Sequence, residues 1–213
     1  MRTALVLDPA ASTGYCLVKI SNNKGNIYDY GFIDIADDTD YDGDRCIDMM
    51  SQVKSIIEKH GVTEIAIEDY FFSKRFAQGG TLNVALRTAI HIQARLMGLE
   101  YTVLNVSNWK KFIAGRSTPT KEQKAKWGKE AAKKLMIQQA LWDKWQFRFP
   151  NHSISKKTGK PIKFRYDVVD AVGQAVFFCR LHLNLSEVEL SVITPDDVEL
   201  KIKSKAQFKY PED

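Results

Sequence analysis

"TALVLDPAASTGYCLVKI" (Thr3–Ile20) decides how the rest of the chain is read. "TALVLD" is an apolar β-run that ends in an acid, Asp8. "ASTG" (Ala11–Gly14) is a turn, and "YCLVKI" (Tyr15–Ile20) reads as a second strand. Next, "NKGN" (Asn23–Asn26) predicts a hairpin turn, and "IYDYGFIDI" (Ile27–Ile35) a third strand with partial alternation. A helix is expected from about Asp44 to His60, with Ile47, Met50, Val53, Ile56 and Ile57 at helical spacing and Gly61 at its C-cap. "EIAIED" (Glu64–Asp69) is a short apolar strand, again ending in acids. After "QGG" a helix runs from about Leu82 to Met97, and "YTVLNV" (Tyr101–Val106) is a fifth strand. Three antiparallel-type strands followed by alternating units imply an α/β fold, a mixed five-stranded sheet flanked by helices.

Beyond that sheet, "TKEQKAKWGKEAAKKLMIQQALWDKWQ" reads as one long basic helix starting near Thr120. "FPNHSISKKTGKPIKF" has the composition of a flexible loop, and a last helix runs from "YDVVDAVGQA" (Tyr166–Ala175) to about Leu183. The expected organisation is a core domain over residues 1–183, with a basic helix and loop inserted at about 116–165. A polar C-terminal extension follows over 184–213.

With 213 residues, 44% of them hydrophobic, the chain can bury a sizeable core. No stretch approaches the roughly 18 apolar residues of a membrane span, and the N-terminus lacks the long apolar region of a signal peptide. Its three cysteines, Cys16, Cys46 and Cys179, lie far apart and read as reduced thiols. The expected location is therefore the cytoplasm, or the host-cell cytoplasm for a viral or phage-encoded chain. The net charge of +5 is unevenly spread. Ser107–Tyr166 holds 16 lysines and arginines against three acids, so the remainder is net negative. Such a basic segment suits a polyanion, and nucleic acid in particular.

The last helix opens with two aspartates, Asp167 and Asp170, three residues apart in an otherwise apolar run. That spacing puts both on one face, where like charges repel unless a cation lies between them. Asp8 and Glu68 end strands that, if adjacent and parallel, bring their tips to one rim of the sheet. Were the last helix to pack over that rim, four carboxylates would meet. Acidic oxygens suit Mg²⁺ or Mn²⁺, and two ions about 3.5–4 Å apart can clamp both the attacking and the leaving oxygen of a phosphodiester. Taken singly, each acid has a plainer reading, as a turn residue or as helix capping.

"LVLDPAASTGYCLV", "IAIEDYFF" and "DVVDAVGQAV" resemble the motifs of RuvC-type Holliday-junction resolvases, in the ribonuclease H-like superfamily. The resemblance covers roughly Thr3–Leu183, and the longer, aromatic-rich basic stretch is similar to the phage and viral branch. It implies a metal-dependent ribonuclease H-like nuclease of branched DNA that resolves four-way junctions by paired symmetric nicks, as a homodimer and with no small-molecule cofactor. Asp8, Glu68, Asp167 and Asp170 would hold two Mg²⁺ or Mn²⁺ ions per site. Lys110 and Lys121, five residues before and six after Gly115, would act at the cleavage site. DNA contacts are expected from Tyr70, Phe71, Lys74, Arg75, Lys110, Lys111, Arg116, Lys121 and Lys124, with Phe71 a wedge at the junction's centre. In one departure, Ala10 stands where the family has glycine after Asp-Pro, which predicts a less permissive turn.

Other features weigh less. "DTDYDGD" (Asp38–Asp44) mimics the start of a calcium loop, but its twelfth position is Met49 rather than Glu. Trp127, Trp142, Trp145, Phe147 and Phe149, interleaved with Lys and Arg, suit either base stacking or docking of the helix on the sheet. The Leu82–Met97 helix is apolar nearly all round, as a dimer interface requires. Two rival readings are a nuclease of the same fold cutting flaps or forks, and an ATP-binding domain of the actin and sugar-kinase type. The second lacks its further phosphate loop and adenosine motif.

Overall fold

β1 (Arg2–Asp8) is the strand on which the molecule is built, apolar on both faces and wholly inside the sheet. Ala4 and Val6 enter one hydrophobic cluster, Leu5 and Leu7 the opposite one, as strand alternation requires when both faces are covered. The computed structural model describes residues 2–35, 41–69, 77–150, 152–154 and 159–190. β2 (Ser12–Ser21) and β3 (Lys24–Asp34) continue antiparallel from β1. β4 (Glu64–Glu68) and β5 (Glu100–Leu104) add in parallel on the other side of β1.

α1 (Asp42–His60) and α2 (Ala77–Leu96) cover one face, burying Met49, Val53, Ile57, Leu86 and Ile90 on Leu5, Leu7, Ile65 and Ile67. The other face carries α3 (Val106–Ala114), α5 (Lys129–Trp145) and α6 (Asp167–Phe177). α4 (Lys121–Trp127) precedes α5 and buries no residue. Its start is fixed by a capping box between Thr120 and Gln123.

The mixed α/β fold is as expected, with differences of detail. The sheet has six strands rather than five, in the order β5-β4-β1-β2-β3 and then β8 (Glu187–Leu190). The sixth, β8, pairs parallel with β3 from within the stretch read as an extension. Its pairing is backed by Lys24, which bonds Glu187 at 2.6 Å. The β2–β3 hairpin turns at Asn22 and Asn23, both with positive φ, rather than over Asn23–Asn26. Paired left-handed residues match the twist of a two-residue hairpin, and asparagine tolerates them.

The expected long basic helix is two helices, because Gly128 takes φ 81° and ψ 154° between α4 and α5. α3, absent from the sequence reading, is nine residues long and capped by the Asn105 side chain. The basic loop contains a short hairpin of β6 (His152–Ile154) and β7 (Pro161–Lys163). At its end α6 widens, with Leu183 N–H bonding Phe178 C=O at 2.9 Å.

α6 reaches the rim of the sheet because of two glycines. A Cβ on Gly14 would collide with the Asp167 carbonyl, and one on Gly173 would press on Trp109 and Ile137. Gly14 pairs with Asp8 across β1 and β2, so the start of α6 docks beside the tip of β1.

Candidate active site

Parallel pairing of β1 and β4, with Leu7 beside Ile67, brings the strand-end acids Asp8 and Glu68 to one rim. Close packing on Gly14 lays the first turn of α6 over that rim, with Asp167 and Asp170 on it. All four expected carboxylates therefore converge. Asp170 is the most enclosed, 4% exposed, and its Oδ1 is buried with no hydrogen-bond partner.

These acids are satisfied in two ways. Glu68 Oε2 accepts from the indole N–H of Trp109 and from the Gln174 amide, both at 2.9 Å. Both donors are neutral. Asp170 Oδ2 instead accepts from the ammonium of Lys134, on α5. The same ammonium lies 3.5 Å from Asp8 Oδ2 and 3.7 Å from Asp167 Oδ1. Among the described residues no three His, Cys, Asp or Glu side chains are already closed around a point. The point on which Asp8, Asp167 and Asp170 face holds Lys134.

Crowding of like charges marks the site. Burial, then the Asp8 charge, pushes the Glu68 carboxyl up to about 8, against the opposing influence of Lys110 and the Trp109 hydrogen bond. Burial also raises Asp8, with Lys134 opposing and Asp170 and Asp167 reinforcing the rise. Burial works against the Lys134 charge, but Asp170, Asp8 and Asp167 outweigh it and hold the ammonium well above the ordinary lysine range. This is a centre short of positive charge.

Two clefts flank it. One, of about 330 Å³, is lined by Asp8, Glu68, Asp69, Asn83 and Arg87. The other, of about 450 Å³, has only lysines as charged lining: Lys110, Lys124, Lys129 and Lys133, with Ser107, Ser117 and Thr118 between them. Lys110 also contributes to the charge environment of Asp8 and Glu68, and so joins the basic cleft to the acids. Lys111, Arg116 and Lys121 are exposed on the neighbouring flank of α3 and α4. Tyr70, Phe71, Lys74 and Arg75 lie outside the described residues.

Ala10 fits the first turn without left-handed backbone. Its N–H donates to Thr13 Oγ1 at 3.0 Å, and that hydroxyl donates back to Ala10 C=O at 2.6 Å. The glycine of the family pattern is thus not required here. Phe147 and Phe149 are buried against Tyr30, so this part of the aromatic cluster docks the basic segment on the sheet. His91 stacks on Tyr101 at 4.2 Å, a packing role.

A family model described as crossover junction endodeoxyribonuclease RuvC matches residues 4–139. The chain belongs to the RuvC family. Its enzyme class is accordingly that of a crossover junction endodeoxyribonuclease. A RuvC from Helicobacter acinonychis is 30% identical over 126 residues, 57% of this chain and 76% of that protein. One from Campylobacter lari is 32% identical over 127 residues, 57% and 75%. The fold is similar to that of T. thermophilus RuvC in complex with a Holliday junction substrate, at TM-score 0.57 and 14% identity, covering 85% of this chain and 97% of that one. The family match stops before Asp167 and Asp170. The packing of α6 on Gly14 brings these two beside Asp8.

Sequence reasoning missed three residues of this site. Gln174 lies four positions after Asp170, on the same helix face, and could have been named from that spacing. Lys134 stands at i−3, i−4 and i−7 from Ile137, Gln138 and Leu141, all buried, so it sits on the apolar stripe of α5. That position distinguishes it from the solvated lysines around it. Trp109 gave no signal, since its indole could equally have been core alone.

Proposed function

We propose that this chain resolves four-way DNA junctions by paired symmetric nicks, each made at the Asp8, Glu68, Asp167 and Asp170 centre of one protomer of a dimer. The observation that carries this is the meeting of four acids from β1, β4 and α6 beside a cleft whose charged lining is all lysine. The residues fit hard divalent cations: every donor is a carboxylate oxygen, and Asp170 Oδ1 is buried without a partner. The four carboxylates would hold two Mg²⁺ or Mn²⁺ ions, which when bound supply charge to activate water and to stabilise the phosphate in its transition state.

The chain's own residues supply position. Trp109 and Gln174 pin one oxygen of Glu68, so its side chain is oriented before substrate arrives. Lys110 offers its ammonium where the basic cleft meets the acids, and would stabilise charge that develops on a scissile phosphate. Lys111, Arg116, Lys121 and Lys124 extend the basic surface along the DNA backbone, with Lys121 reaching the cleavage site. Such contacts position the duplex rather than read it. Tyr70, Phe71, Lys74 and Arg75, just after Glu68, would meet the junction's centre, with Phe71 as wedge.

The dimer contact would be α2. Its sheet side is buried, while Val84, Ile92 and Leu96 stay exposed at four- and eight-residue intervals on the other. A second copy is the occupant that a two-fold-symmetric substrate calls for. Sedimentation should then give about twice the chain mass, and a monomer would remove the basis for paired cuts. No helix among the described residues is long and apolar enough to cross a membrane.

The direct test is cleavage of labelled four-way junctions, flaps, forks and linear duplexes with and without Mg²⁺. Metal-dependent cutting of the four-way junction above all others is expected. Equal cutting of flaps would favour a general branched-DNA nuclease.

A further inference from the structure

The four acids need positive charge, and the chain already provides one such charge from within. Lys134 Nζ bonds Asp170 and lies 3.5 and 3.7 Å from Asp8 and Asp167. These are three of the four acids assigned to metal, reached at Asp170 Oδ2, Asp8 Oδ2 and Asp167 Oδ1. An ammonium and a divalent ion cannot share that point. Nor is Lys134 locked there. Its side chain is 29% exposed, against 6% for that of Asp170, so it has a path to solvent. Its stem is flexible, unlike the planar fork of an arginine. Glu68 is different, because its partners Trp109 and Gln174 are neutral and are themselves buried. Among the described residues the hydrogen bonds to Glu68 come from these two neutral donors, and Lys110 acts on it through its charge.

Resting on the metal-centre reading above, we propose that Lys134 is a displaceable resident cation of this site. It holds Asp8, Asp167 and Asp170 together in the metal-free protein, and one of the two ions enters only by displacing it. The ions therefore load unequally. The ion on the Glu68 side binds first. The ion shared by Asp170 and Asp167 binds second, with its affinity lowered by the competing ammonium. Lys134 prevents mutual repulsion from opening the site when metal is scarce, at the cost of weaker second-ion binding.

Mn²⁺ titration of the DNA-free protein, followed by loss of the free-ion electron paramagnetic resonance signal, reads this without activity. Wild type should show one tighter and one weaker ion. Lys134→Met should tighten the weaker one on the order of tenfold, as usual for coupling between two ligands. Lys134→Arg, which keeps the charge, should not. In chelator Lys134→Met should melt below wild type, and saturating Mn²⁺ should raise its melting temperature by more than it raises the wild type's. If Lys134→Met does not fold, Lys134→Gln serves the same comparison. Mn²⁺ isotherms identical for the neutral variant and wild type would overturn the proposal. The metal-centre reading would survive that result if Asp170→Asn lost an ion. If Asp170→Asn bound Mn²⁺ like wild type, both would fall.

Discussion

Glu68 and Asp170 belong to one cluster yet are held by opposite means. Glu68 is fixed by an indole and an amide, neutral donors that are themselves buried. Asp170 is neutralised by an ammonium on a flexible stem. The neutral donors orient without cancelling charge, and the Glu68 carboxyl is consequently pushed up to about 8 by burial and by Asp8. The ammonium cancels charge but is exchangeable. One half of the site is thus preorganised and electrostatically hungry, while the other is satisfied until something replaces its partner. Buried pairs broken from one side are the costly case, which is why the two halves should respond differently to the same kind of substitution.

The largest effect is on chemistry, and here the halves should agree. Glu68→Gln and Asp170→Asn should each abolish detectable junction cleavage while junction binding, which rests on the lysine cleft, stays near wild type. Stability in chelator should separate them. Asp170→Asn removes a principal partner of Lys134 and should lower the melting temperature, whereas Glu68→Gln removes a repelled acid and should not. Equal destabilisation by both would break the comparison.

Next comes Trp109→Phe, which keeps most of the ring in its buried site but removes the N–H donor to Glu68. Losing a donor that orients a metal-holding carboxylate costs about 10–100-fold, so cleavage should fall by about that factor. Stability should fall by about 1 kcal/mol, as for one lost hydrogen bond. A variant with full activity would mean that Gln174 alone orients Glu68.

The smallest effect is on pH dependence without metal. A carboxyl raised from 4.5 in the unfolded chain to about 8 in the folded one keeps its proton only in the native state across that window. The native state then binds more protons than the unfolded one, and stability declines as pH rises from about 4.5 to about 8. Glu68→Gln should flatten this decline in melts taken with chelator. An unchanged slope would place the excess proton elsewhere in the cluster.

Much of this was legible in the sequence where the signal is local. Strands β1, β4 and β5 are short runs rich in apolar residues, and Asp8, Glu68 and the pair in "DVVD" stand at strand ends or at a helix start, so their placement together with the motif resemblance pointed to them. Gly61 closed α1 as expected, with φ 60°. What failed depended on tertiary context. β8 is polar and becomes a strand by pairing with β3. Gly128 lies inside a helix-forming run and breaks it by adopting an extended ψ that no pattern reveals. Trp109 and Lys134 matter because α3 and α5 dock where they do, and one lysine among 16 cationic residues of that segment carries little signal by itself.

The central claim is that two copies of this acidic centre, related by a two-fold axis, act on one four-way junction. Its most direct test is to map the nicks at nucleotide resolution on an immobile junction, each strand end-labelled in turn, in Mg²⁺. The account predicts two nicks at symmetric positions on opposite strands of like polarity, lost in Asp170→Asn. Single nicks without symmetry, or cleavage that survives that substitution, would contradict it.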